Sequence, residues 1–261
     1  MLSHSEHIDR LEVWPHVQPL TYREIWTIAI RIIVAAILIL LIGALSCSVV
    51  MAANTRKSLS QAPSPQQRYE AERRLFELGY WTGPIDADFD SASRHALMAF
   101  QKVEGRARTG KLTLHELAAI AGASRPSPRQ GEFAHVEIDL ARQVLFVVDD
   151  NGTVTRILPV STGDEQLYVD HGQTQRAHTP RGTFKVLRKI NGWRLSSLGL
   201  LYYPCYILNG IAIHGSLSIP SYPASHGCIR IPMYAAKELS ALLPVGTTVI
   251  VYEGHRKLRA D

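Results

Sequence analysis

Cysteine is scarce in this chain: its 261 residues hold three, Cys47, Cys205 and Cys228. So few thiols exclude a dense disulfide framework as the source of stability, although Cys205 and Cys228 could pair within the C-terminal part. Aromatic residues are thin at 8%, and no basic stripe interleaved with them accompanies the net charge of +5. That absence excludes nucleic acid as the expected partner and leaves only a weak pull toward acidic ones. A Gly-rich phosphate loop is missing, and so is any alternating strand–helix order, which sets aside nucleotide-binding α/β folds. Apolar residues at 46% and charged residues at 20% are nevertheless an ordinary globular balance, enough to build a core.

Charge is also absent from one long run, "IIVAAILILLIGALSCSVVMAA", residues 32–53. As a helix, 22 such residues rise about 33 Å, the thickness of a bilayer core. A run apolar on every face is no surface helix, and it is too long, behind too long a leader, for a cleaved signal peptide. The "ALSC" ending at Cys47 is a poor lipoprotein box. We therefore expect an uncleaved transmembrane signal anchor behind a cytoplasmic tail, residues 1–31. Arginines and lysines flank the run on both sides, so the positive-inside rule does not orient it.

Two proline-bearing polar stretches then divide the chain, "NTRKSLSQAPSPQQ" (54–67) and "ASRPSPRQGE" (123–132), both read as linkers. Between them, residues 68–122 carry three helical patterns. The first places Tyr69, Leu75, Phe76 and Leu78 on an apolar spacing, with Gly79 as its stop. The second has Ala96, Leu97 and Phe100, with Ser91 or Ser93 as cap. The third is capped by Thr113 and turns Leu114, Leu117 and Ile120 inward. A compact three-helix bundle is expected. The stretch "RLFELGYWTGPIDADFDSASRHALMAFQKVEGRARTGKLTLHEL" resembles the type-1 peptidoglycan-binding domain, through its L-G-Y turn, Gly-x-x-Asp turn, Ala…Phe-Gln helix and Thr-Gly-x-Leu-Thr. Ala87 and Asp90 depart from it, standing where that family usually has glycines. A fold retained only as a spacer is the alternative.

From Phe133 the period shortens. Val144–Val148 and Val154–Val160 flank Asn151-Gly152 as a two-residue hairpin. "GTFKVLRKI", "YYPCYILNGIAIHG" and "TTVIVYE" supply further strands, and "PMYAAKELSALL" is a helix with Met233, Ala236, Leu239, Leu242 and Leu243 on one face. Residues 133–253 thus form a mainly β domain, followed by a short tail, 254–261.

The chemistry concentrates in "ASHGCIRIP", residues 224–232, with His214 upstream at the end of "IAIHG". A thiol becomes nucleophilic beside an arginine or imidazolium, and a histidine base completes the pair. Gly227 allows a tight turn that aims backbone N–H groups at an oxyanion. A buried apolar cysteine, a zinc site of His214, His226 and Cys228, and a Cys205–Cys228 disulfide are the alternatives. None of them explains Ser225, Gly227 and Arg230 together.

"IHGSLSIPSYPASHGCIRIP", with "HTPRGTF" and "VEIDLARQVLFVV…LPVSTG", resembles the L,D-transpeptidase (YkuD-type) catalytic domain. The resemblance implies a β-sandwich-like fold, no cofactor and no metal. It implies that Cys228 attacks the L,D bond of a stem tetrapeptide and expels D-alanine. His214 would serve as base and then acid, and His226, Gly227 and the Cys228 backbone would line the oxyanion pocket. Arg230 would fix the loop or meet a substrate carboxylate. We place Ser225, Gly215 and Tyr203 among substrate-binding positions. Where some relatives have a serine after the histidine, Gly215 stands here, so a backbone carbonyl has to orient the ring. The segments 164–178 and "WRLSSLGLLYY" are expected to shape substrate choice. The expected partner is peptidoglycan, with a stem amine, an envelope protein or water taking the acyl group. Such a substrate puts residues 54–261 outside the cytoplasmic membrane, held there by the N-terminal helix.

Overall fold

A computed structural model describes residues 62–254 and twelve positions between Thr21 and Leu38. The anchor expected at 32–53 lies outside the described residues apart from Ile33, Val34, Ala36, Ile37 and Leu38, which are helical. Among the described residues no helix is long and apolar enough to cross a membrane.

Helix α1 (Pro65–Glu77) begins inside the stretch expected to be a linker. Ser64 and Gln67 form a reciprocal capping box, and Pro65 takes the first helical position, where no N–H is needed. The prolines therefore mark a helix start. Gly79, at φ +95°, ends the helix as expected. Leu75 and Leu78 are buried as expected, beside Ala71 and Glu72, whereas Tyr69 and Phe76 stay largely exposed. The next helix, α2 (Ser91–Val103), is capped by Asp90 rather than by a serine, its carboxylate accepting from the Ala92 and Ser93 amides. Helix α3 (Leu114–Gly122) is capped by Thr113. Glu72 is fully buried but well supplied: it accepts from Ser93 Oγ (2.6 Å) and the Ala87 amide (2.9 Å). Ala87 has φ +69°, which accounts for the glycine usual at that place.

Strands β1 (His135–Asp139), β2 (Val144–Val148) and β3 (Val154–Pro159) start the β domain. Asn151-Gly152 is not a two-residue hairpin. The loop runs from Asp149 to Thr153, because the Asp149 carboxylate accepts from the Asn151 and Thr153 amides and only Gly152 takes positive φ. After a small hairpin of β4 (Leu167–Asp170) and β5 (Gln173–Arg176) come β6 (Gly182–Lys185), β7 (Arg188–Lys189) and β8 (Trp193–Ser196). The long β9 (Gly199–Leu208) follows, then β10 (Ile211–Ser216), β11 (Ile229–Pro232), helix α4 (Met233–Leu242) and β12 (Thr248–Tyr252). One sheet runs β3-β2-β1-β12-β6. The other runs β11-β10-β9-β7, with β8 on the far end of β9.

Strand β2, "VLFVV", is buried at every position because both faces of its sheet are covered. Leu145 and Val147 point into the core between the two sheets, whose other wall includes Ile213, Ile229, Ile231 and, from α4, Ala235, Ala236 and Leu239. Met233 and Leu242 of that helix lie outside this core, contrary to the expected face. Val144, Phe146 and Val148 point the other way, into one cluster with Leu75, Leu97 and Phe100 of the helices. The helical unit therefore shares a core with the β domain. The stretch 123–132 is pinned down between them: Arg125 donates to the Val154 carbonyl (2.7 Å), and the Arg129 and Gln130 amides donate to the buried Glu137 carboxylate (2.9 and 2.7 Å).

Candidate active site

Strands β10 and β11 run parallel, with Ile213 opposite Ile229 and His214 opposite Arg230. Because side chains alternate along a strand, Ile213, Ile229 and Ile231 enter the core while His214, Arg230 and Cys228 emerge on the other face. Cys228 packs there with Leu201, Tyr206 and Ala212. All three chemical residues line one cleft of about 600 Å³, as do Ser225 and His226.

His214 is 6% exposed, and its Nδ1 lies 2.9 Å from the carbonyl oxygen of Gly215. A carbonyl only accepts, so Nδ1 carries the proton and Nε2 is the basic nitrogen. Burial lowers the histidine to about 4, against the Gly215 hydrogen bond and with help from the Arg230 charge, so the ring is neutral at neutral pH. Strand β9 makes room for this ring with a bulge: Cys205 pairs with Ile213 and Tyr202 with Gly215, leaving Tyr203 and Pro204 against His214 alone.

Cys228 is a half-buried free thiol whose Sγ lies 3.4 Å from the Gly210 carbonyl. Burial pushes it above the ordinary thiol value, while a backbone hydrogen bond from Ala212 and the Arg230 charge act the other way. Its loop is held from within by Ser225, which is buried, donates to the Cys228 carbonyl (2.6 Å) and accepts from the Gly227 amide (3.0 Å). Gly227 sits at φ +135°, and a Cβ there would come within 2.8 Å of the His178 carbonyl oxygen, so only glycine fits.

Some expected roles shift. The Gly227 amide, expected to face an oxyanion, is already spent on Ser225 Oγ. Gly215 does not line the cleft: it is buried between Tyr202 and Ala236, and its contribution is the carbonyl on His214. Tyr203 does not line the cleft either; the bulge, with φ +47°, turns it onto the core between the sheets. Cys205 is in that same core with Sγ 3.5 Å from Ser240 Oγ, on the face opposite Cys228, and both thiols are free. Among the described residues no group of three or more His, Cys, Asp or Glu is arranged to hold a metal ion.

Other contributors were not singled out by sequence. Thr179, from the T-P-R-G stretch, donates to the Gly227 carbonyl (2.7 Å) and accepts from the Gly163 amide (2.9 Å), tying two loops behind the cysteine. The two segments expected to shape substrate choice both reach the cleft, with Tyr168 and Asp170 of the β4–β5 hairpin and Trp193, Arg194 and Ser196 through Leu200 of the β8–β9 hairpin on its walls. The tips of these hairpins touch: Ser197 Oγ donates to Asp170 Oδ2 at 3.1 Å. Tyr168 rests its ring 4.6 Å from that of His226. Arg188 lies over the Tyr206 ring, and the structure records no hydrogen bond or ion pair for the Arg230 guanidinium among the described residues.

This geometry can be set beside known proteins. The family profile of the L,D-transpeptidase catalytic domain matches residues 134–251, and that of a peptidoglycan binding domain matches residues 64–120. No curated protein matches the chain. Among solved structures, an L,D-transpeptidase from Stackebrandtia nassauensis is 27% identical over 73% of this chain and 92% of that one, with a TM-score of 0.42. The L,D-transpeptidase of Xylanimonas cellulosilytica is 41% identical with a TM-score of 0.67, over 70% of this chain. Since that identity extends over 92% of the Xylanimonas chain, the protein belongs to the L,D-transpeptidase family.

Proposed function

We propose that Cys228 is the nucleophile through which this L,D-transpeptidase acts on peptidoglycan. The observation that carries the reading is the hydrogen bond from His214 Nδ1 to the Gly215 carbonyl, on a ring sharing a cleft with a free thiol. It leaves Nε2 unprotonated and able to accept the thiol proton. The thiolate sulfur then bonds to the carbonyl carbon of the L,D bond in a stem tetrapeptide. As the tetrahedral intermediate collapses, the C–N bond breaks and the imidazolium returns its proton to the departing D-alanine amine. An acceptor amine attacks the thioester, gives its proton to His214, and releases Cys228 with a 3→3 cross-link formed. Because a neutral thiol and a neutral imidazole are the resting forms, the charge pair exists only while the reaction proceeds.

In this scheme the Cys228 amide replaces Gly227 as the oxyanion donor, since the Gly227 amide is held by Ser225. Arg230 is read as the group that meets a substrate carboxylate, which its unpartnered guanidinium on the cleft wall supports. His226, on the rim against Tyr168, is read as a substrate contact. The uncharged run at 32–53 supports a membrane anchor, and a peptidoglycan substrate supports an extracytoplasmic address for the domains behind it.

The test is made on the purified protein with a tetrapeptide donor and a diamino-acid acceptor. Mass spectrometry should show a thioester on Cys228, free D-alanine and 3→3 dimers, all lost in Cys228→Ala. Dimers formed by Cys228→Ala would overturn the reading. Thioester that turns over only to the free tripeptide would make water the acceptor.

A further inference from the structure

Two basic side chains of the helical unit reach the turns that back the cysteine loop. Lys102, on α2, is 1% exposed, and its Nζ donates to the carbonyls of Gln143 (3.1 Å) and Val160 (2.9 Å). No carboxylate pairs with it among the described residues. A lysine buried on two carbonyls alone is costly: burial and the Arg108 charge lower it to about 7, and packing by itself would be better served by an apolar side chain.

The bonds continue inward. Gln143 is itself buried, in the turn between β1 and β2 with φ +61°. Its Nε2 donates to Thr162 Oγ1 (2.7 Å) and its Oε1 accepts from the Thr162 amide (3.0 Å). The Thr162 carbonyl then accepts from the amides of both Ala224 and Ser225, each at 2.9 Å. Ser225 holds the Cys228 carbonyl and the Gly227 amide. Lys102, Gln143, Thr162 and Ser225 are all at least nine-tenths buried, so water does not compete for any link. Arg108 works in parallel, donating to the Ser221 carbonyl (3.0 Å), just ahead of the loop, and to the Ala141 carbonyl (3.2 Å) beside the Gln143 turn.

We propose that Lys102 is a positioning residue for the nucleophile: from the helical unit it fixes the Gln143 turn, and through Gln143 and Thr162 the seat of Ser225 and Cys228. The peptidoglycan-binding-like unit is then a structural part of the active site as well as a neighbour to it. This rests on Cys228 being the nucleophile.

The experiment uses the full chain with Lys102→Met, which keeps volume and removes the donors, and Thr162→Val, which removes the Oγ acceptor. Melting curves establish the temperature at which each variant is folded. At that temperature kcat should fall about tenfold with KM nearly unchanged, the loss of one buried link to the loop. The double variant should be little worse than the worse single variant, because both break one chain. A folded Lys102→Met with kcat within about twofold of the parent, or losses that multiply in the double variant, overturns the proposal. Should Lys102→Met fail to fold, an unchanged kcat in Thr162→Val overturns it equally. Cys228→Ala separates the two readings: turnover there removes the nucleophile assignment, whereas an inactive Cys228→Ala beside a normal Lys102→Met removes only the positioning role.

Discussion

His214 takes its orientation from the residue that follows it: Nδ1 donates to the Gly215 carbonyl at 2.9 Å. That bond needs no side chain at position 215, and none would fit. A Cβ on Gly215 would lie 2.7 Å from the Ala236 Cβ and 3.2 Å from the Tyr202 Cβ, so α4 and β9 close on the strand at the point where it turns its carbonyl to the histidine.

Gly215→Ser should therefore destabilise the protein by about 1–3 kcal/mol through overpacking. It should also lower kcat, because relief of the clash moves the carbonyl. Adding Ala236→Gly should recover much of both. Thermal melts and steady-state rates on the two single variants and the double check this, and a Gly215→Ser protein as active and stable as the parent contradicts it.

The positive charge of Arg230 acts on both members of the pair, lowering His214 and Cys228 alike. Arg230→Met should raise both. The acid limb of the rate profile should then move to higher pH, because the imidazolium forms more easily. The pH dependence of Cys228 alkylation should move the same way, because the thiolate forms less easily. Opposite movements of the two limbs would show that Arg230 acts through loop geometry rather than charge.

Folding should also depend on His214. Its folded value of about 4 is below the ordinary 6.5, so the unfolded chain binds the proton more readily. The neutral ring's contribution is fully present above pH 6.5 and is lost as pH falls toward 4. The loss is about 3 kcal/mol across that window. Urea unfolding at several pH values should show this slope in the parent and a shallower one in His214→Gln.

Much of this site was legible because its residues are close in sequence. "IHG" ends one strand and "CIR" leads into its parallel neighbour, and alternation with His214 opposite Arg230 puts Cys228, His214 and Arg230 on one face. The elements that proved different depend on the rest of the fold. Tyr203 was displaced by a bulge visible only once β9 meets β10. The Gly227 amide was taken by a hydroxyl two residues back. Thr162, Gln143 and Lys102 are polar residues in otherwise ordinary stretches, and their role appears only when the helices dock on the sheet. For the same reason the Pro-rich stretch at 123–132 read as a free linker: nothing local announces that Glu137 will capture its amides.

The two free thiols should separate cleanly by accessibility. Cys228 faces the cleft, whereas Cys205 is 2% exposed and raised by burial in the core. Iodoacetamide on the native protein, followed by peptide mass analysis, should label Cys228 and leave Cys205 until denaturant is added. Early labelling of Cys205, or a disulfide-linked Cys205–Cys228 peptide, contradicts the arrangement.

The bond between Ser197 and Asp170 joins the tips of two hairpins above the cleft, and Tyr168 closes the side next to His226. Both hairpins line the cleft that a donor and an acceptor peptide would share, so parting their tips would open it. Ser197→Ala removes the donor and leaves the cleft walls intact. Its loss should favour the open form by about 0.5–1.5 kcal/mol, or roughly twofold to tenfold. If opening limits the rate, kcat should rise by up to that factor while acylation in a single turnover stays the same. If closure holds the donor for attack, KM should rise instead and the thioester should form more slowly. Single-turnover acylation of Cys228 beside steady-state rates distinguishes these outcomes, and a variant unchanged in both measurements would show that the hairpins part without regard to this bond.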